Sequence, residues 1–239
     1  NIVGWSWKAG GAASSNSDGS ITSSVSANPT AGFSVLTYTG TGSNATVGHG
    51  LSQIPERIIL KRRDGSGWSW YGYDKTAGNT KSVYINSSNS FDTSSTFWNN
   101  TSPTASVFTV GTANGINQSS GTYLAYCFHS VEGYSKIGYY TSNANAEGPF
   151  IYTGFKPAFV LVKGITLTVN WDLIDAARNP YNVLDKRIAT NTSNAEDTGA
   201  VVDFVSNGFK VRTTSGGYND PTNGTYIYMA FAETPFSTS

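Results

Sequence analysis

The chain has 239 residues and balances 15 Lys+Arg against 15 Asp+Glu, with only 13% charged residues, where soluble domains average about 25%. Its polarity comes instead from 31 Ser, 28 Thr, 21 Asn and 26 Gly, and 13% of its residues are aromatic. This is the reverse of a disordered composition; it offers no basic footprint for nucleic acid and no run near the ~18–20 apolar residues that span a bilayer. A single cysteine, Cys127, leaves no internal disulfide.

Taken in chain order, the apolar run Ile2-Val3-Gly4-Trp5-Ser6-Trp7 lines up with Tyr123–Phe128 and predicts the last strand of a preceding repeat, the chain being the end of a longer array. The other reading of Trp5 and Trp7 is that they cap a self-contained first domain. The start also lacks the basic-then-apolar order of a signal peptide. Ala9–Ser20 is rich in Gly, Ser and Asn and reads as a linker or surface loop. Strands follow at Phe33–Thr39 and Arg57–Lys61, with Asp64-Gly65 as a hairpin turn before the alternating Trp68–Tyr73. Phe108–Val110 and Gly121–Phe128 complete a first set, and Val131–Tyr134 is a short junction.

The pattern then begins again. Tyr38, Pro55 and Lys61 are matched by Tyr140, Pro157 and Lys163 at an offset of 102. Trp70, Asp74 and Phe108 are matched by Trp171, Asp175 and Phe209 at 101, and the closing run Gly121–Phe128 is matched by Gly224–Phe231 at 103. Val183–Ile188 is the only stretch with room for a helical turn or two. Short strands between frequent turns predict an all-β fold of two tandem antiparallel, jelly-roll-like sandwich repeats of about 100 residues. The expected division is 1–32 for the preceding strand and linker, 33–133 for repeat 1 and 134–239 for repeat 2.

Aromatics matched between the halves do one structural job twice, so Tyr38/Tyr140, Trp70/Trp171, Phe108/Phe209, Tyr123/Tyr226 and Phe128/Phe231 are expected in two cores. The matched Lys61/Lys163 and Asp74/Asp175 read as strand-end charges. Catalytic constellations are thin. Cys127 and His129 share a strand face without a third orienting group, and Asp172/Asp175 and Glu196/Asp197 read as surface acids. Two histidines and a loop Asn16–Ser20 lacking the later Glu of an EF-hand assign no metal, and nothing assigns a cofactor or a catalytic residue. What remains is carbohydrate binding by aromatic faces ringed with amides and hydroxyls. The unmatched loop aromatics and their neighbours are the candidates: Trp98, Asn99 and Asn100, then Tyr218, Asn219 and Asp220. Trp98 either faces a ligand or plugs the base of its loop, and Tyr218, among Gly216, Gly217, Asn219 and Asp220, is expected to be exposed.

Trp5–Ala12, Asn16–Asn28, Val131–Lys136, Ala177-Arg178-Asn179-Pro180-Tyr181-Asn182 and Tyr228–Glu233 resemble a domain of unknown function in tailed-bacteriophage virion proteins, often tail fibre or tail proteins. The resemblance covers nearly the whole chain and carries no catalytic residues. It implies a non-enzymatic virion protein, a C-terminal tail fibre or adhesin module that touches the host surface. The implied partners are two identical subunits in a homotrimer, other virion proteins and a host cell-surface glycan. A capsid or tail decoration protein without a ligand and a polysaccharide depolymerase domain are the alternatives.

Overall fold

A computed structural model describes residues 4–199 and 202–236. The fold is all-β, built from antiparallel sheets, and the chain divides into two compact units. The first comprises residues 6–85 and 91–129; the second holds the described residues from Ser130 onward, together with residues 86–90 and residues 4–5.

In the first unit the strands are β1 (Ser14–Asn16), β2 (Ser23–Asn28), β3 (Phe33–Thr39), β4 (Ala45–Gly48), β5 (Arg57–Arg62), β6 (Trp70–Asp74), β7 (Lys81–Tyr84), β8 (Asp92–Thr93), β9 (Val107–Val110) and β10 (Thr122–Phe128). One sheet runs in the order β1-β2-β3-β10-β5-β6-β7-β8, and β4 pairs β9 in a second sheet. Two single-turn helices, α1 (Ser95–Trp98) and α2 (Asn114–Asn117), interrupt the strands. The aromatic and β-branched alternation of the longer segments drives one face of those strands into a core with Leu36, Ile58, Leu60, Phe108, Val110 and Ile116.

Ala9–Ser20 is largely exposed, as the surface-loop reading expects, but the N-terminal stretch is not a linker. Ser14–Asn16 is a strand, Ile21 bridges Val47, and Ile21 and Val25 are buried in the first core, so residues 6–32 belong to that unit. Two apolar side chains on an otherwise Ser-rich segment are enough to seat it. Of the expected first strand, Ile2 and Val3 lie outside the described residues, and Gly4–Trp7 forms no strand. The two indoles instead meet rings edge-on, Trp5 with Phe159 at 5.2 Å and Trp7 with Phe128 at 5.9 Å.

The second unit contains β11 (Ser135–Thr141), β12 (Phe150–Tyr152), β13 (Pro157–Gly164), β14 (Asp172–Asp175), β15 (Ile188–Ala189), β16 (Val202–Val205), β17 (Gly208–Val211) and β18 (Thr225–Ala232). Its sheets run β11-β18-β13-β14-β15 and β12-β17-β16. Val183–Ile188 is not helical: Leu184 pairs with Val202 through both backbone groups, and Ile188 opens β15.

Of the aromatics expected in the cores, Tyr38, Tyr140, Trp171, Phe108, Phe209, Tyr123, Tyr226, Phe128 and Phe231 are buried. Trp70 is only half-buried and stacks on Tyr126. Tyr38 stacks on Tyr123 at 5.0 Å and donates to the Ile116 carbonyl; Tyr140 stacks on Tyr226 at 5.2 Å and donates to the Tyr218 carbonyl. The expected strand-end charges do lie at strand ends, Asp74 closing β6, Asp175 closing β14, and Lys61 and Lys163 one residue short of the ends of β5 and β13; Lys61 is half-buried and the other three are interior. Asp74 and Asp175 are buried, and Lys163 is buried with its ammonium donating to the carbonyls of Ser88, Leu167 and Val169.

Burial lowers the Lys163 ammonium from 10.5 to about 8. The folded chain therefore releases this proton before the unfolded chain does, and stability rises with pH wherever the unfolded state binds more protons. The cost of burying the charge is full below pH 8 and falls away as the pH climbs toward 10. Urea unfolding of the wild type and Lys163→Met across that window is expected to show the difference between them shifting in favour of the wild type as the pH rises. A constant difference would show that Lys163 keeps its proton.

Candidate functional site

The second unit presents a cleft of about 230 Å³ lined by Lys156, Ala176, Asn179, Pro180, Tyr181, Asn182, Leu184 and Phe204. Its wall is the loop leaving β14. Asp175, the last residue of that strand, accepts the Arg178 N–H on Oδ1 at 2.9 Å and the Arg178 guanidinium on Oδ2, which turns the chain. Pro180 fixes φ and lacks an N–H, so the loop cannot continue as a ladder. Two residues on, the Asn182 side-chain amide stands in for a strand: Nδ2 donates to the Phe204 carbonyl and Oδ1 accepts the Phe204 N–H, both at 2.9 Å. Asn179 donates to Asp185 at 2.7 Å. Tyr181, held between these two anchors, is 82% exposed.

Ion pairs brace the loop from behind. Arg178 reaches Glu196 at 2.9 Å as well as Asp175, and Arg187 binds Asp197 and the buried Asp172. Burial raises the Asp172 carboxyl above its ordinary range, with the Arg187 charge opposing, while hydrogen bonds from Arg187 hold Asp197 low. Asp172 and Asp175, expected as surface acids, are both buried, each against its own arginine. They serve the scaffold. At the rim, Lys156 pairs with Glu233 at 3.0 Å.

The cleft is smaller than the roughly 300–1,000 Å³ sites that enclose a drug-sized ligand. It therefore suits one end of a ligand lying along the surface. An exposed phenol ring beside amides and a cation offers a stacking plate for an apolar C–H face with donors and acceptors around it, which is the chemistry that holds a sugar ring.

The amino-acid sequence matches a domain of unknown function, DUF7483, over residues 1–235. The chain belongs to this family. No curated protein and no solved structure matches this member of DUF7483.

The residues expected to bind a glycan are placed otherwise in this DUF7483 chain. Trp98 is buried, its indole N–H donating to the Lys81 carbonyl at 3.0 Å and its ring edge-on to Tyr73, so it plugs its own loop. Asn99 and Asn100 are exposed in the left-handed region just after α1, where Asn99 caps the helix and accepts from Asn44. Tyr218 is fully buried, not exposed: its ring fills the second core beside Asp172 and Arg187. Asn219 is equally buried and spends its amide inside the fold. Asp220 is half-buried and caps Thr222. None of the six lines the cleft.

Cys127 is packed in the first core, where burial pushes its thiol up to about 12 and keeps it from acting as a thiolate. The ring nitrogens of His49 are both engaged, Nδ1 accepting from Leu51 N–H and Nε2 donating to the Thr104 carbonyl. Among the described residues no group of three or more His, Cys, Asp and Glu is placed to hold a metal ion.

Tyr181 was legible in the sequence by the rule that selected Trp98: it is an aromatic whose counterpart in the first half, Thr80 at an offset of 101, is not aromatic. The preceding Asn179-Pro180 added a turn signal.

Proposed function

We propose that the chain is a non-enzymatic binding module of a tailed-phage virion, a tail fibre or adhesin segment that engages a host cell-surface glycan through the Tyr181 cleft. The observation that carries the binding role is the 82% exposed Tyr181, set on a loop anchored on both sides by Asn182 and the Asp175–Arg178 pair. A ring this exposed, on a loop this constrained, contributes little to folding and is positioned for a partner. The virion assignment rests on the resemblance of the Trp5–Ala12, Val131–Lys136 and Tyr228–Glu233 segments, and the uncharged Ser, Thr and Asn surface suits an extracellular particle.

The test is binding of purified chain to lipopolysaccharide and capsular glycans of bacterial surfaces. Tyr181→Ala is expected to weaken binding at least about tenfold, the equivalent of roughly 1.4 kcal/mol, with an unchanged melting temperature. Unaltered binding by that variant would remove the cleft from consideration. Shortening of the glycan during incubation would favour the depolymerase reading.

A further inference from the structure

Corresponding sheet edges are treated differently in the two units. Val47 of β4 faces Phe108, and Ile151 of β12 faces Phe209, the matched phenylalanine, so Thr46 corresponds to Phe150 and Gly48 to Tyr152. In the first unit the outer side of β4 is covered. The Thr46 carbonyl accepts from Ile21 N–H at 2.9 Å, Thr46 N–H donates to Ser20 Oγ at 2.9 Å, and the Gly48 carbonyl accepts from Ser23 Oγ at 2.8 Å. Asn16 lies so close that a Cβ on Gly48 would sit 1.7 Å from its Oδ1.

The second unit has no such cover on β12 among the described residues. The Pro149 carbonyl and Thr153 N–H point inward to Val211 and Asn207, so alternation turns the N–H and C=O of Phe150 and Tyr152 outward, where no described residue meets them. The two rings beside these groups are 49% and 65% exposed. Natural edge strands are normally blunted by charge, proline or a bulge. Here the edge carries aromatics instead.

We propose that β12 is a dimerisation edge, two copies of this chain pairing it antiparallel about a two-fold axis at Ile151, in place of the homotrimer that the resemblance implies. In that register Phe150 N–H of each copy donates to the Tyr152 carbonyl of the other, and Tyr152 N–H donates to the Phe150 carbonyl, which uses every outward backbone group of both residues. Each Phe150 ring lies beside a Tyr152 ring on one face, a favourable cross-strand pair. Charge favours an identical partner over a charged one. Glu147 is bound by both Lys210 and Arg212, and Arg212 also meets Asp203, so the flank of the edge is neutralised within one chain. Such an isologous contact closes on itself.

Light scattering coupled to size exclusion is expected to give twice 25.4 kDa for the full chain, falling toward the single mass on dilution. Tyr152→Lys, which sets a charge on the edge without touching the inward ladder, is expected to give the single mass with an unchanged melting temperature and intact glycan binding. If Tyr152→Lys fails to fold, Phe150→Lys provides the same reading. A wild type that stays at the single mass up to its solubility limit, a trimeric mass, or a dimer that survives the folded lysine variant would each overturn the proposal.

Discussion

Replacing Arg57 by phenylalanine is expected to destabilise the first unit by about 3–5 kcal/mol, the usual consequence of removing one partner of a buried ion pair. The guanidinium grips Asp74 Oδ2 through Nε at 3.0 Å and Nη2 at 2.7 Å, and both side chains are 1% exposed. Without it, Asp74 retains only the backbone donors Thr76 and Ala77 on Oδ1, and a buried carboxylate is left uncompensated. The second unit shows a different solution on the same frame. Across β13 and β14 the residue facing Asp175 is Phe159, and the cation comes from Arg178, three positions beyond the aspartate. Three positions beyond Asp74 is Ala77. Arg57→Phe with Ala77→Arg is therefore expected to regain at least half of the loss, measured by urea unfolding followed through tryptophan fluorescence. A single variant within 1 kcal/mol of the wild type, or a double variant no better than the single, would refute this account of the pair.

The all-β class was legible because the strands announce themselves as short aromatic and β-branched runs between Gly, Asn and Pro. The matched aromatics located both cores, with Trp70 the exception, its ring left half-buried against Tyr126. Other features were hidden for physical reasons. The N-terminal segment has a linker's composition, and only Ile21, Ser23 and Val25, alternate residues turned inward, betray its place in the first unit. Helices α1 and α2 are single turns, too short for a 3.6-residue period to register. The burial of Asp74, Asp172 and Asp175 was hidden because it depends on arginines that tertiary structure brings to them, two of the three pairs lying at least 15 residues apart in sequence. Tyr218 and Asn219 were misread for another reason: Gly216, Gly217 and Asp220 around them signal an exposed turn, while the side chains that turn inward carry no local mark of it.

Asn219 also carries the second large expected effect. Its Oδ1 accepts the N–H groups of Asn143 and Ala144 at 2.8 and 3.3 Å, and its Nδ2 donates to Asn143 Oδ1 and to the carbonyls of Asn145 and Thr213 at 3.0, 2.7 and 2.9 Å. Asn117 does the same work in the first unit, accepting Thr41 N–H at 2.9 Å and donating to the carbonyls of Ser43 and Gly111 at 2.6 and 2.7 Å. Each of these partners has its counterpart 102 residues later, Thr41 with Asn143, Ser43 with Asn145 and Gly111 with Thr213. One amide thus ties together two loop segments that approach from opposite sides. Leucine keeps its shape and removes every polar atom, stranding donors and acceptors that each cost about 1–3 kcal/mol when left unmade. Water reaches the exposed Asn145, so Asn219→Leu is expected to lose about 3–4 kcal/mol rather than the full sum, with a melting temperature lowered by at least about 10 °C. Glycan binding, assayed below that transition, is expected to match the wild type, since Asn219 lies outside the Tyr181 cleft. A variant that keeps its melting temperature and loses the glycan would return Asn219 to the role its Gly- and Asn-rich neighbourhood first suggested.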